Sequence, residues 1–198
     1  NDHLLNYEQL EQMIEQHRPK LVVVGASSYS RFIDYQRIYI CAKNFGIPVM
    51  VDMAHVAGLI AAGVHPSPVG NADIITSTTH KTLRGPRGGF IGSTMQFAEK
   101  IDRAVMPGLQ GGPLMNVIAA KALCFIKAQT QEFIAYQKAV IQNARHMALM
   151  FTQNDFHVVT GGTDNHLFMI DFTRSRHLAD TLTGHQAEKE LAKINVIL

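Results

Sequence analysis

Pro48-Val49-Met50-Val51-Asp52-Met53-Ala54-His55 sets a short apolar run directly against a carboxylate and an imidazole. So short a run, bounded by Gly46 and Pro48, reads as a buried strand with polar groups at its exit. Upstream, Leu21-Val22-Val23-Val24 repeats the pattern, wholly apolar and mostly β-branched, and opens into a small polar turn from Gly25 to Ser30. Between the two runs, Asp34 to Phe45 places Ile38, Cys41, Ala42 and Phe45 on one side of a helix that Gly46 closes. Downstream, Ala54 to Ala62 suits a short helix closed by Gly63. His65 to Gly70 is a loop with two prolines, and Ala72 to Thr76 is a third strand.

Strand and helix therefore alternate over short links, the pattern of an α/β domain. Right-handed crossovers make such strands parallel and bring their carboxyl ends to one edge, beyond which ligands bind. Each strand is followed by polar candidates: Ser27 and Ser28, then Asp52 and His55, then Thr78 to Lys81. A helix from Tyr7 to His17, ended by Pro19, precedes them. Gly89 to Gly92 reads as a fourth strand, with a helix from about Met95 to Val105 behind it. Met106 to Pro113 is a glycine-rich loop, with Pro113 expected at a helix start. Leu114 to Thr160 has neither Gly nor Pro and is mostly helical in spacing, as two helices or one long one. His157 to Thr160 and Leu167 to Asp171 alternate like strands around a Gly161-Gly162 turn. Gly184 to Lys193 is a helix, and Asn195 to Leu198 resembles the start of another strand. The chain reads as a fragment of a longer protein.

With 198 residues, 46% hydrophobic and 17% charged, the composition suits one sizeable core, or one domain and part of another. A net charge of +2 without a basic block gives no pointer to nucleic acid or an anionic membrane. No apolar run approaches the roughly 20 residues of a membrane span. Cys41 and Cys124 lie far apart, which fits a reducing, cytoplasmic setting and argues against a disulfide scaffold or zinc site.

Lys81 sits in Ser77-Thr78-Thr79-His80-Lys81-Thr82, ahead of Gly85-Pro86-Arg87-Gly88-Gly89. A solvated lysine needs no such company. An amine nucleophile does, since it must be held in place and free to lose its proton, and burial favours its neutral form. Asp52 reads either as the N-cap of a helix from Ala54 or as the partner of a protonated ring nitrogen of pyridoxal phosphate. His55 is a helix-surface histidine, or it packs on that ring or bonds its phenolic oxygen. His80, next to Lys81 in an extended segment, points the opposite way and flanks the ring or shapes the substrate site. His55, His65, His80 and Asp52 lack the spacing and the thiolate of a metal centre, so no metal is assigned. Gly111-Gly112 is a linker or a backbone cradle for phosphate, and Arg87 a surface residue or a phosphate contact. Gly161-Gly162-Thr163-Asp164-Asn165-His166 is a polar turn.

Val51-Asp52-Met53-Ala54-His55-Val56-Ala57-Gly58-Leu59-Ile60 and Thr78-Thr79-His80-Lys81-Thr82-Leu83-Arg84-Gly85-Pro86-Arg87-Gly88-Gly89 closely resemble the serine hydroxymethyltransferase family. Pro107-Gly108-Leu109-Gln110-Gly111-Gly112-Pro113-Leu114-Met115 and Gly162-Thr163-Asp164-Asn165-His166-Leu167 extend the resemblance over essentially the whole chain. It implies a fold-type-I, three-layer transferase of the aspartate aminotransferase-like kind. Residues 1–145 would form part of the large cofactor-binding domain, with a mostly parallel sheet, and 146–198 the start of a small α+β domain.

The implied cofactor is pyridoxal 5'-phosphate, held by Lys81 as an aldimine, with tetrahydrofolate as co-substrate. The implied reaction interconverts serine and glycine. Asp52 matches the partner of the pyridine nitrogen, His55 the residue near the phenolic oxygen, and Ser27 a cofactor-contacting serine. Thr78 and Arg87 fall among the cofactor-binding positions, and His80 matches the histidine tied to reaction specificity. Gly111 and Gly112 match glycines that reach the phosphate of a neighbouring subunit's cofactor, so a homodimer or tetramer with shared sites is implied. The family's ring-stacking histidine, main phosphate segment, substrate-side tyrosine and glutamate, and carboxylate-binding arginine are expected outside this stretch. The stretch by itself is therefore expected to be inactive. Cytosolic and organellar forms share these motifs. Two other readings compete: a threonine-type aldolase, which would share Asp52 and Lys81 without a folate pocket, and a non-catalytic module that kept the scaffold.

Overall fold

The computed structural model describes residues 2–175 and 182–197. Its contacts divide into two units, one of Leu5–Ser27 and Phe32–Ala139, the other of Asn1–Leu4, Ser28–Arg31 and Val140–Leu198.

In the first unit, helix α1 (Tyr7–His17) starts where the Asn6 side chain accepts from the Gln9 N–H at 3.0 Å. Helix α2 (Tyr35–Asn44) starts the same way, with Asp34 Oδ1 accepting from the Arg37 N–H at 2.9 Å. Each such cap satisfies a backbone donor that the first turn leaves open. A four-stranded sheet runs in the order β1 (Val22–Val24), β2 (Val49–Asp52), β3 (Ile74–Thr78), β4 (Gly89–Ser93). The first three strands are parallel, with Val24 opposite Val51 and Asp52 opposite Thr76. The fourth is antiparallel, pairing Thr78 with Gly89, so the sheet is mostly parallel and the unit is α/β.

Val49, Val51, Ile38 and Leu59 are almost fully buried and form the centre of the core. Burying each such side chain contributes about 1.5–3 kcal/mol. At the entry end of the sheet, the buried Asp73 accepts from the Val49 N–H at 2.8 Å and from Lys43 Nζ at 2.7 Å. This pairing leaves the buried carboxylate compensated. It also fixes the entry to β3 against β2, and therefore the register of their exits.

Several boundaries differ from expectation. β3 begins and ends later than Ala72–Thr76, because the β3–β4 ladder runs on through Ser77 and Thr78. Helix α3 is Ala57–Ala61 only, since Ala54–Val56 form a turn. Helix α4 (Met95–Arg103) passes into π-type turns over Ala104–Leu109, which run from the end of the expected helix into the expected loop. Pro113 lies one residue before the N-cap Leu114 of α5 (Met115–Ala128) and not in the helix. Helix α6 (Gln131–Gln153) follows after a break at Gln129 and Thr130, so the long helical stretch is two helices.

The second unit holds the rest of α6, a short antiparallel pair β5 (His157–Val158) and β6 (Ile170–Asp171), and helix α7 (Gly184–Ala192). Residues 195–197 form no strand, and Leu198 lies outside the described residues. The turn read as a plain loop is a buried knot of hydrogen bonds. Arg31 donates to the Thr160 carbonyl at 2.7 and 3.1 Å and pairs with Asp164 at 3.2 Å. Asn165, 2% exposed, donates to the Tyr29 carbonyl at 2.9 Å. No helix among the described residues is long and apolar enough to cross a membrane.

Candidate active site

The exits of β1, β2 and β3 meet at a cleft of about 260 Å³, lined by Val23, Gly25, Ala26, Ser27, Asp52, Ala54, His55 and Lys81. Open parallel sheets place ligands beyond the carboxyl ends of their strands. The three groups of polar residues predicted after the three strands each contribute to this one cleft.

Close approach of the backbones builds it. A Cβ on Gly25 would lie 2.6 Å from the Asp52 carbonyl oxygen, so only glycine lets the exit of β1 sit against that of β2. Asp52 is the last residue of β2, and its Oδ1 accepts from the Ala54 N–H at 3.0 Å. It is not the N-cap of α3, which is Val56 and has no side-chain cap bond. The carboxylate instead shapes the tight turn that carries His55 to the cleft. Burial pushes the His55 imidazole below its ordinary pKa, the Lys81 charge pushes it the same way, and Asp52 opposes. The Lys81 and Asp52 charges thus both act on the His55 imidazole across the cleft.

The His55 shift sets a pH dependence. Its imidazole in the unfolded chain titrates near 6.5 and in the fold below that. Between the two values the unfolded chain holds more protons, so stability rises with pH through that window. The contribution is fully present above the unfolded value and is lost as pH falls through the folded one. Urea unfolding across about pH 5–8 is expected to show this slope in the native protein and a flatter one in His55→Asn. Coincident slopes would refute it.

Lys81 is exposed, not buried as expected, because it leaves the end of β3 on a turn that solvent reaches. That turn is nevertheless tightly held. Thr79, fully buried, donates its N–H to the Gly88 carbonyl at 3.0 Å and its hydroxyl to the Pro86 carbonyl at 2.6 Å. Its own carbonyl accepts from the Gly85 N–H at 2.7 Å.

Of the other predicted residues, Thr78, His80, Arg87, Gly111 and Gly112 do not line the cleft. His80 Nδ1 accepts from the Gly88 N–H at a long 3.4 Å, facing the glycine turn. Arg87, Gly111 and Gly112 are exposed. The Thr78 hydroxyl, at the end of β3, is buried without a hydrogen-bond partner among the described residues.

A glycine whose packing role the sequence does not signal also belongs here. A Cβ on Gly58 would fall 2.2 Å from the Thr82 carbonyl oxygen and 2.4 Å from its carbon, so α3 and the turn after Lys81 touch backbone to backbone. Gly58→Ala is expected to destabilise by at least about 1–3 kcal/mol, the usual cost of overpacking, measured as a lower urea midpoint. A midpoint equal to the native one would contradict that contact.

The donor set fits pyridoxal phosphate. The cleft offers a primary amine for an aldehyde, a carboxylate for a pyridine nitrogen, and a hydroxyl and imidazole for polar ring substituents. The larger groove between α1 and α2, about 840 Å³, does not fit. Glu8, Glu11, Glu15 and Asp34 line it, and they repel an anionic ligand.

The serine hydroxymethyltransferase family model matches residues 1–198. "Serine hydroxymethyltransferase 1" of Pseudomonas fluorescens (strain Pf0-1) is 52% identical over 194 residues, which are 98% of this chain and 46% of that protein. The chain thus spans about half the length of the curated relative it matches. With a match along its whole length and the cleft in place, the chain belongs to the serine hydroxymethyltransferase family.

Proposed function

We propose that the full-length protein interconverts serine plus tetrahydrofolate and glycine plus 5,10-methylenetetrahydrofolate, using pyridoxal phosphate. The observation that carries this is the convergence of Lys81, Asp52, His55 and Ser27 at the exits of three parallel strands. When bound, the cofactor supplies an aldehyde that takes up the substrate amine and a protonated ring that delocalises charge left at Cα.

This chain's residues supply the rest. Lys81 Nζ would hold the cofactor through its aldehyde, and its amine would serve to move a proton. The Asp52 carboxylate holds the proton on the pyridine nitrogen, an electrostatic role. His55 and Ser27 orient the ring through its polar substituents, and the Thr78 hydroxyl donates to cofactor or substrate. His80 shapes the substrate side. Arg87 contacts the phosphate. Gly111 and Gly112, exposed here, cradle the phosphate of a neighbouring subunit's cofactor, in a homodimer or tetramer with shared sites. Residues 1–145 belong to the large cofactor domain and 146–198 begin the small one. The protein works in the cytoplasm.

Full-length protein given serine is expected to form glycine only with tetrahydrofolate present. Folate-independent cleavage of 3-hydroxy amino acids without folate-dependent turnover would point to an aldolase instead.

A further inference from the structure

We infer that Thr82 and Gln137 form a clamp that sets the position of Lys81 relative to His55. Thr82 follows Lys81 directly. Its hydroxyl donates to the His55 carbonyl at 2.9 Å and accepts from the Gly58 N–H at 2.9 Å. One side chain thus bonds both to the turn that carries His55 and to the helix behind it. Gln137 completes the arrangement by donating Nε2 to the Thr82 carbonyl at 2.7 Å. With Thr79 anchored on the other side, His80 and Lys81 lie between two fixed points.

Gln137 stands out for its place in α6. It is 1% exposed and lies one helical turn from Phe133 and one from Ile141, both buried. An apolar side chain is the ordinary occupant of such a position. Its Oε1 has no hydrogen-bond partner among the described residues, a costly condition for a buried carbonyl. Only the Nε2 bond to Thr82 offsets that cost. A leucine or methionine would avoid the cost and fill the space, so the residue's value lies in the bond. Thr82 and Gln137 are positioning residues, since both act through their neighbours.

The inference rests on Lys81 as the cofactor amine, and its test separates the two. The full-length protein is titrated with pyridoxal phosphate as native, Thr82→Val, Thr82→Ser and Gln137→Met. The readouts are cofactor affinity, the pH midpoint of the visible band, and amide hydrogen exchange of residues 80–85 without cofactor. Thr82→Val and Gln137→Met should each weaken cofactor binding about tenfold, the scale of a small misplacement at a reacting centre. They should also displace the band's midpoint and speed exchange at 80–85, while Thr82→Ser restores native behaviour. Either variant suffices if the other does not fold. A native band with variants that melt earlier but keep native affinity, midpoint and exchange overturns the clamp alone. Absence of a band in the native protein overturns the Lys81 assignment, and the clamp with it.

Discussion

Lys81→Ala is expected to abolish the visible band that full-length protein forms with pyridoxal phosphate and to lower turnover by at least about 1000-fold, within the range of a positioned proton-transfer group. The expectation follows from the inventory of amines. Among the described residues, Lys81 is the one lysine lining the cleft. Lys43 is committed to Asp73 at 2.7 Å at the entry end of the sheet, and Lys121 donates to the Gly89 carbonyl at 2.8 Å. Neither can replace it. The exposed Lys81 side chain makes no hydrogen bond or ion pair among the described residues, so its loss should leave the fold intact and the melting temperature near native. A variant that keeps the band would remove Lys81 from the chemistry.

Asp52→Asn should keep the fold and lose the rate. Asparagine retains an Oδ1 to accept the Ala54 N–H, so the turn that carries His55 survives. The negative charge does not survive, and a neutral amide cannot hold a proton on the ring nitrogen. The expected fall in turnover is about 10²–10³-fold, the usual cost of removing one preorganised electrostatic partner. Asp52→Glu, which restores the charge on a longer arm, should recover part of it. If Asp52→Asn turned over at the native rate with native stability, the carboxylate would be only a turn former.

Much of this was legible in the sequence because apolar runs and helix caps are local signals. Val22–Val24, Val49–Val51, and the Asp34 and Gly46 ends of α2 needed no tertiary information. Ser77 and Thr78 fall outside the strand expected over Ala72–Thr76, yet the antiparallel partner β4 supplies their ladder. Helix α3 was drawn too early because Asp52 could not be known to spend its oxygen on the Ala54 N–H. The cleft was legible as a set of strand exits, since topology alone collects them. Lys81's exposure was not, because burial depends on what stands above the sheet edge. The fixing role of Thr82 and the burial of Gln137 were not legible for a related reason. A glutamine in a helix reads as surface, and only its spacing from Phe133 and Ile141 signals a buried position.

The central claim is that Lys81 is the amine that holds the cofactor at the exits of three parallel strands. Borohydride reduction of the full-length protein loaded with pyridoxal phosphate, followed by peptide mass mapping, tests it most directly. A single pyridoxyl adduct on Lys81 is predicted; an adduct on any other lysine, with Lys81 unmodified, would contradict it.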